Sequence, residues 1–304
     1  MTTECGKKKH KKSRIYSEKH FFAFISLWMI GFLLLTVVPM IYSLYASFTS
    51  WDGINPPNWI GLDNFKKIFI QDDLFLKSLW NTFRYTILTV PLNMVIGMLL
   101  AVLLNQNLPG TNLYRSIFYL PSVIAGVAMY IGWQFIFDRT SILSYWVSKI
   151  FGSAPGWLTD PKWSMPSLIL MNIFTSGSIM LILLAALQDV PKEYYEAARI
   201  DGANRTQQFF KITLPMITPI LFYVLIMQMM SALQIFTQPF VMTKGGPMNS
   251  IYTYGIHLYN QAFRYNFFGY SCALSWILFI IIMFITILLF KSSKLWVFYR
   301  EEVD

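Results

Sequence analysis

The sequence predicts an all-α integral membrane protein with six transmembrane helices, and three observations predict it. The 304-residue chain is 55% hydrophobic and only 13% charged, with mean hydropathy +0.48. A soluble domain carries about 25% charged residues, so this chain lacks the polar surface to cover a globule in water. Its apolar residues gather in six windows of about 20 residues or more, the length that crosses a hydrocarbon layer of about 30 Å. These windows do not alternate polar and apolar residues as barrel strands do. A backbone inside lipid must satisfy its own hydrogen bonds, which leaves the helix.

The elements follow in order. Residues 1–20 form a basic tail with Lys7, Lys8, Lys9, Lys11, Lys12, Arg14 and Lys19. The first span, 21–48, has no charge and is longer than the apolar core of a signal peptide. No small-x-small site follows it, so it reads as a retained span. The others are 85–104, 116–137, 163–187, 214–240 and 267–290, and residues 291–304 form a second tail. With the N-terminus in the cytosol, 15 of the 24 Lys and Arg fall on inside segments and nine on outside ones. That bias predicts both termini in the cytosol of a bacterial cytoplasmic membrane. After Arg139, apolar residues at Ile142, Leu143, Trp146, Val147, Ile150 and Phe151 predict a short amphipathic helix on the outer face. Pro39, Pro91, Pro121, Pro215, Pro219 and Pro239 are expected to kink spans.

Several chemistries are excluded. The charge of +9 concentrates in the N-terminal tail and at span ends, without zinc-finger spacing or interleaved aromatic residues, which argues against a nucleic-acid partner. No GxxxxGK[ST] phosphate loop occurs, and His10, His20 and His257 have no metal-ligand spacing. No GxSxG elbow occurs, and no span holds the buried acid–base pair of a proton-coupled carrier. Cys5 and Cys272 fall on a cytosolic tail and inside a span, so no disulfide is expected. The chain is expected to be no enzyme and to bind no cofactor or metal.

The largest inside loop joins spans four and five. Pro191 suits a first helical turn, residues 191–201 are good helix formers, and Gly202 suits the stop. A second short helix over about Asn204–Ile212 would make a helix-turn-helix elbow under the membrane. The loop contains Glu196-Ala197-Ala198, three residues, Gly202, nine residues, Ile212, one residue and Leu214-Pro215. This pattern resembles the EAA loop of permease subunits in binding-protein-dependent ABC importers. The string Glu196–Asn204 (EAARIDGAN), Trp157-Leu158-Thr159-Asp160-Pro161, Thr243-Lys244-Gly245-Gly246-Pro247 and Asn81-Thr82 are similar to the carbohydrate branch, of maltose and glycerol-phosphate type. Lys244 departs from the small residue that many relatives have there. The resemblance covers about residues 20–290.

The resemblance implies a type I ABC importer permease fold with a cytosolic EAA coupling loop. It implies a second, non-identical permease, two ATP-binding subunits that hold ATP and Mg, and an extracytoplasmic sugar-binding protein. Glu196, Ala197, Ala198 and Gly202, with Arg199 and Asp201 among them, would dock on the ATPase. For the substrate pathway the amides inside spans are candidates: Asn93, Gln134, Asn172, Gln228, Gln234 and Gln238. Tyr130 and Trp133 would supply aromatic faces for a sugar. Gln228 and Gln234, on the span after the coupling loop, are preferred. The alternatives are a stand-alone secondary carrier or channel, a membrane-anchored assembly protein, an exporter subunit, and a glycerol-phosphate rather than sugar importer.

Overall fold

A computed structural model describes residues 18–106, 109–124 and 126–298. The tail lysines before Glu18, Arg14, Cys5 and Arg300 lie outside the described residues. The first span is built from α1 (Glu18–Phe32), a π-turn over Leu33–Val37 and α2 (Val38–Ser47), with Pro39 in the first turn of α2. The helix runs on through the π-turn into α2, the Val38 N–H donating to the Leu33 carbonyl just before Pro39, which has no N–H to give. Among its described side chains only Ala46 and Ser47, at its end, are buried, and Leu27 and Leu35 are about four-fifths exposed (80% and 81%). In an aqueous globule such a stripe would be unstable; in hydrocarbon it needs no protein partner.

A two-strand ribbon pairs β1 (Thr49–Ser50) with β2 (Asn58–Trp59), and α3 (Asp63–Ile70) follows. Asn64 of α3 donates to the carbonyls of Ser47 and Thr49 at 2.8 and 2.9 Å, tying the ribbon to the helix. The second span extends well beyond the predicted 85–104: α4 runs over Asp73–Leu104 without a break at Pro91. Its N-cap, Asp72, accepts the N–H groups of Leu74 and Phe75. The polar first turns of α4, around Lys77, Asn81 and Arg84, hid this extension from a hydropathy window.

Spans three and four are each broken, contrary to the single helices expected. Span three is α5 (Thr111–Val123) and α6 (Gly126–Ile136). Span four is α8 (Pro161–Ile173) and α9 (Gly177–Gln188), bent by 45°. Between them, α7 (Ile142–Phe151) forms where the stripe predicted it, capped by Ser141 and ended by Gly152. The stripe divides: Leu143 and Val147 pack on the protein, while Ile142, Trp146, Ile150 and Phe151 are exposed. Span five is also interrupted. α10 (Lys192–Ile200), α11 (Arg205–Gln208), a π-turn over Phe209–Thr213 and α12 (Leu214–Met216) lead into α13 (Thr218–Leu233), and α14 (Thr237–Thr243) completes it. Pro215 and Pro219 sit in the first turns of α12 and α13, so the breaks precede the prolines. α15 (Tyr254–Tyr259) and α16 (Phe268–Trp296) close the chain, the latter outrunning the predicted 290.

Among the described residues, four helical stretches are long and apolar enough to cross a membrane, and six spans result if each bent pair counts as one. α4 is central, packed against α8, α9, α13 and α15. Helix approach rests partly on small residues, as expected where lipid removes the hydrophobic drive between helices. A Cβ on Gly177 of α9 would lie 2.0 Å from the Phe118 carbonyl oxygen of α5. At the end of α4 that carries its N-cap, the Asp72 carboxylate accepts hydrogen bonds from Tyr270 of α16 and pairs with His257 Nε2 of α15 at 2.9 Å. This clamp joins spans two and six and the loop before span six.

Candidate functional site

Two sites stand apart, a cavity between spans and the elbow between spans four and five. The cavity is about 200 Å³. α4 supplies Tyr85 and Thr89, α6 supplies Tyr130, and α8 supplies Asn172. Gln228, Ser231 and the segment 234–238 come from α13 and the break after it. The break matters locally. Helix α13 ends at Leu233 with Gln234 as its C-cap, and Phe236 at φ −137°, ψ −59° leaves helical geometry before α14 restarts. An unwound turn exposes backbone polar groups that lipid could not satisfy, so it is tolerated where it faces a cavity.

Of the sequence candidates, the fold brings Tyr130, Asn172, Gln228, Gln234 and Gln238 together on one wall system. Trp133 is corrected: it is 8% exposed, and its ring packs on Phe137 and Phe174 at 5.0 and 4.8 Å, in the core behind the cavity. Gln134 is also elsewhere, donating to the carbonyls of Val241 and Met242 at 3.0 and 2.8 Å. There it stitches α6 to α14. Asn93 donates to Asn172 and so holds that amide in place. Tyr85, Thr89, Ser231 and Thr237 were missed. A signal existed, because Tyr85, Thr89 and Asn93 recur every four residues and share one face of α4. Tyr85 donates to Gln238 Oε1 at 3.2 Å across the cavity. No Asp, Glu, Lys, Arg or His is among the described lining residues. The arrangement offers hydroxyls and amides, which can exchange hydrogen bonds with a hydroxyl-rich neutral solute but cannot neutralise a charge.

The elbow has opposite character. Helix α10 buries none of its residues. It stops through paired C-terminal bonds: the Gly202 N–H donates to the Arg199 carbonyl at 3.1 Å and the Ala203 N–H to the Ala198 carbonyl at 2.9 Å. This is the Schellman arrangement, which needs a left-handed residue, and Gly202 supplies φ +79°. Asn204 then opens the second helix as expected, in a capping box with Gln207. Two bonds brace the angle: Tyr195 to Thr213 at 2.8 Å between hydroxyls, and Gln208 Nε2 to the Ala203 carbonyl at 2.9 Å. Glu196, Ala197, Arg199 and Asp201 lie on the exposed surface, Ala198 is partly exposed, and Ile200 is 88% exposed. Among the described residues, no side chain of this braced helix is buried by the rest of the chain.

The family model for the inner-membrane component of binding-protein-dependent transport systems matches residues 93–297, two thirds of the chain, elbow included. This chain belongs to that family. It is therefore a multi-pass membrane permease subunit of an ABC transporter. It is 43% identical over 300 residues to the probable ABC transporter permease protein YesP of Bacillus subtilis, with 97% of each chain covered. It is 33% identical to the multiple sugar-binding transport system permease protein MsmF of Streptococcus mutans, covering 84% of this chain and 89% of that one. It is 30% identical to the arabinooligosaccharides transport system permease protein AraP of B. subtilis, covering 90% and 88%. Among solved structures, a chain of a bacterial alginate ABC transporter in complex with its pentasaccharide-bound periplasmic protein matches with TM-score 0.79. It shares 23% identity, covers 90% of this chain and 94% of that one, and so agrees in fold.

Proposed function

We propose that this permease carries a carbohydrate inward, sharing its pathway with a second, non-identical permease. The loop 191–215 couples it to two separate ATP-binding subunits, and an extracytoplasmic sugar-binding protein delivers the substrate. The observation that carries the reading is the exposed, braced elbow around Glu196, Ala197, Ala198, Arg199, Asp201 and Gly202. Small side chains at Ala197 and Ala198 let a partner's backbone approach, and the Glu196 carboxylate can pair with a basic group in its cleft. ATP favours one of two states of the assembly, and a rigid elbow can pass that preference to the spans. The chain carries no phosphate loop of its own. The orientation with N- and C-termini in the cytosol follows from the charge bias and puts the elbow on the ATP side.

The cavity supports the substrate class. Its 200 Å³ falls below the about 300–1,000 Å³ of a complete small-molecule pocket, as half of a shared site would. Its uncharged lining favours sugar hydroxyls over the phosphate of a glycerol-phosphate substrate. The relatives named for sugars and arabinooligosaccharides agree.

A cysteine crosslink tests the coupling. Ala197→Cys is placed in a chain whose Cys5 and Cys272 are replaced by serine, and membranes holding the whole transporter are treated with a short reagent that joins a thiol to a lysine amine. The expected product joins this chain to the ATPase subunit. A crosslink confined to other membrane subunits, with the ATPase present, contradicts the docking assignment.

A further inference from the structure

The cavity does not end at its own walls. Phe236, in the unwound turn, lines it, and from that ring a series of aromatic contacts leads away. Phe236 lies 5.0 Å from Phe240 and 5.1 Å from Tyr259, and Phe240 and Tyr259 are 4.9 Å apart. Tyr259 lies 5.2 Å from Phe263, which lies 5.7 Å from Phe268.

The direction of this series is fixed by independent contacts. Thr253, just before α15, donates to the Ile235 carbonyl at 3.1 Å, so α15 starts level with the cavity turn. One turn later His257 reaches Asp72, the N-cap of α4. Phe263 then meets Phe268, the first residue of α16. Successive rings therefore climb from the cavity to the end of the bundle where α4 and α16 begin, which is the outer end in the orientation proposed above. Phe236, Phe240 and Tyr259 are only half-buried, and Phe263 is 62% exposed. An open aromatic strip of this kind marks a contact surface.

We infer that Phe236, Phe240, Tyr259 and Phe263 form a stacking track that passes carbohydrate from the docked binding protein to the cavity. The inference rests on the sugar reading of that cavity. The chemistry is general: the C–H faces of a sugar ring carry partial positive charge and meet the electron-rich face of an aromatic ring. Several adjacent rings give equivalent positions with low steps between them. Thr237 and Gln238, which line the cavity together with Phe236, offer hydrogen bonds where the series meets it. Continuity with the cavity favours sugar over the second permease as the occupant of the strip. A track spanning several rings matters more to a longer substrate, because more sugar units touch it at once.

The test uses the complete transporter in cells and tritiated malto-, arabino- and xylo-oligosaccharides of two and four sugars as probes. Phe263→Leu keeps apolar volume without a ring, and Phe263→Trp keeps a ring. With Phe263→Leu, the concentration for half-maximal uptake is expected to rise about two- to tenfold, as for loss of one ring contact, more for four sugars than for two. Phe263→Trp is expected to stay near wild type, and both variants to copurify with the second permease. Unchanged uptake by Phe263→Leu overturns the track while leaving the sugar reading intact. Loss of the second permease from the purified Phe263→Leu complex overturns it as well, and makes the strip a subunit interface. Accumulation of none of the probes by the wild-type complex removes the sugar reading and the track together.

Discussion

The elbow and the cavity are both made of polar residues, yet they are held in opposite ways. The elbow is shaped by local bonds. The Gly202 turn, the Asn204 capping box and the Tyr195–Thr213 contact, which spans 18 positions, set its angle. It buries little and offers its face to a partner. The cavity is held by the tertiary fold. Asn93 reaches Asn172 across 79 positions, and Tyr85 reaches Gln238 across 153. A device that must move as one body can rest on short-range geometry, whereas a binding surface between spans depends on how the spans pack.

The contrast breaks most directly at Gly202. Gly202→Leu places a Cβ residue at φ +79°, at a cost of about 1–2 kcal/mol. No neighbouring atom obstructs a Cβ there, so the damage comes from backbone conformation alone. Transport is expected to fall at least about tenfold, with ATPase association weakened and the spans still folded. Gly202→Asn, which tolerates the left-handed region, is expected to recover most of it. Glu196→Lys should approach the same loss by reversing charge on the docking face while leaving the turn unaltered. Normal uptake and normal copurification of either the Gly202→Leu or the Glu196→Lys variant would break the assignment of the elbow.

On the cavity side the effects are smaller and of another kind. Gln228→Ala removes one hydrogen-bonding group, worth about 0.5–1.5 kcal/mol. Half-maximal uptake should shift upward about two- to tenfold, with the ATPase still bound. Asn172→Leu leaves the buried Asn93 amide without its partner. It should lower the thermal midpoint of the purified complex as well as uptake, because its loss is shared between packing and pathway. The smallest effect is expected from Tyr195→Phe, which removes one brace of about 1 kcal/mol. ATP hydrolysis should become slightly less coupled to uptake, measured as more ATP hydrolysed per sugar moved. If Tyr195→Phe were instead as damaging as Gly202→Leu, the elbow would depend on its anchoring contacts more than on its turn.

The two regions were also unequally legible in the sequence. The elbow's ends are written in residues with one conformational use each, so Pro191, Gly202 and Asn204 marked its helices correctly. Hydropathy located the six apolar windows but not the breaks in spans three, four and five. An interrupted helix and a continuous one have the same composition when the interruption, such as residues 174–176 or 234–236, is built from uncharged residues. Amides inside spans are uncommon, and Asn172, Gln228 and Gln234 line one cavity. Trp133 and Gln134 lie outside it, since neighbours in sequence point to different sides of a helix. Tyr85 and Thr89 carried a four-residue rhythm with Asn93, but only the packing of α4 against α8 and α13 shows that this face is the one that opens.

The measurement that bears most directly on the account is purification of this chain, tagged, from its native membranes, with mass spectrometry of what accompanies it. The wild-type chain is expected to bring a second six-span permease and a soluble ATPase, and the Gly202→Leu chain to bring the permease with much less ATPase. Isolation of the wild-type chain alone, stable and without an ATPase, would contradict the claim that its elbow couples it to one.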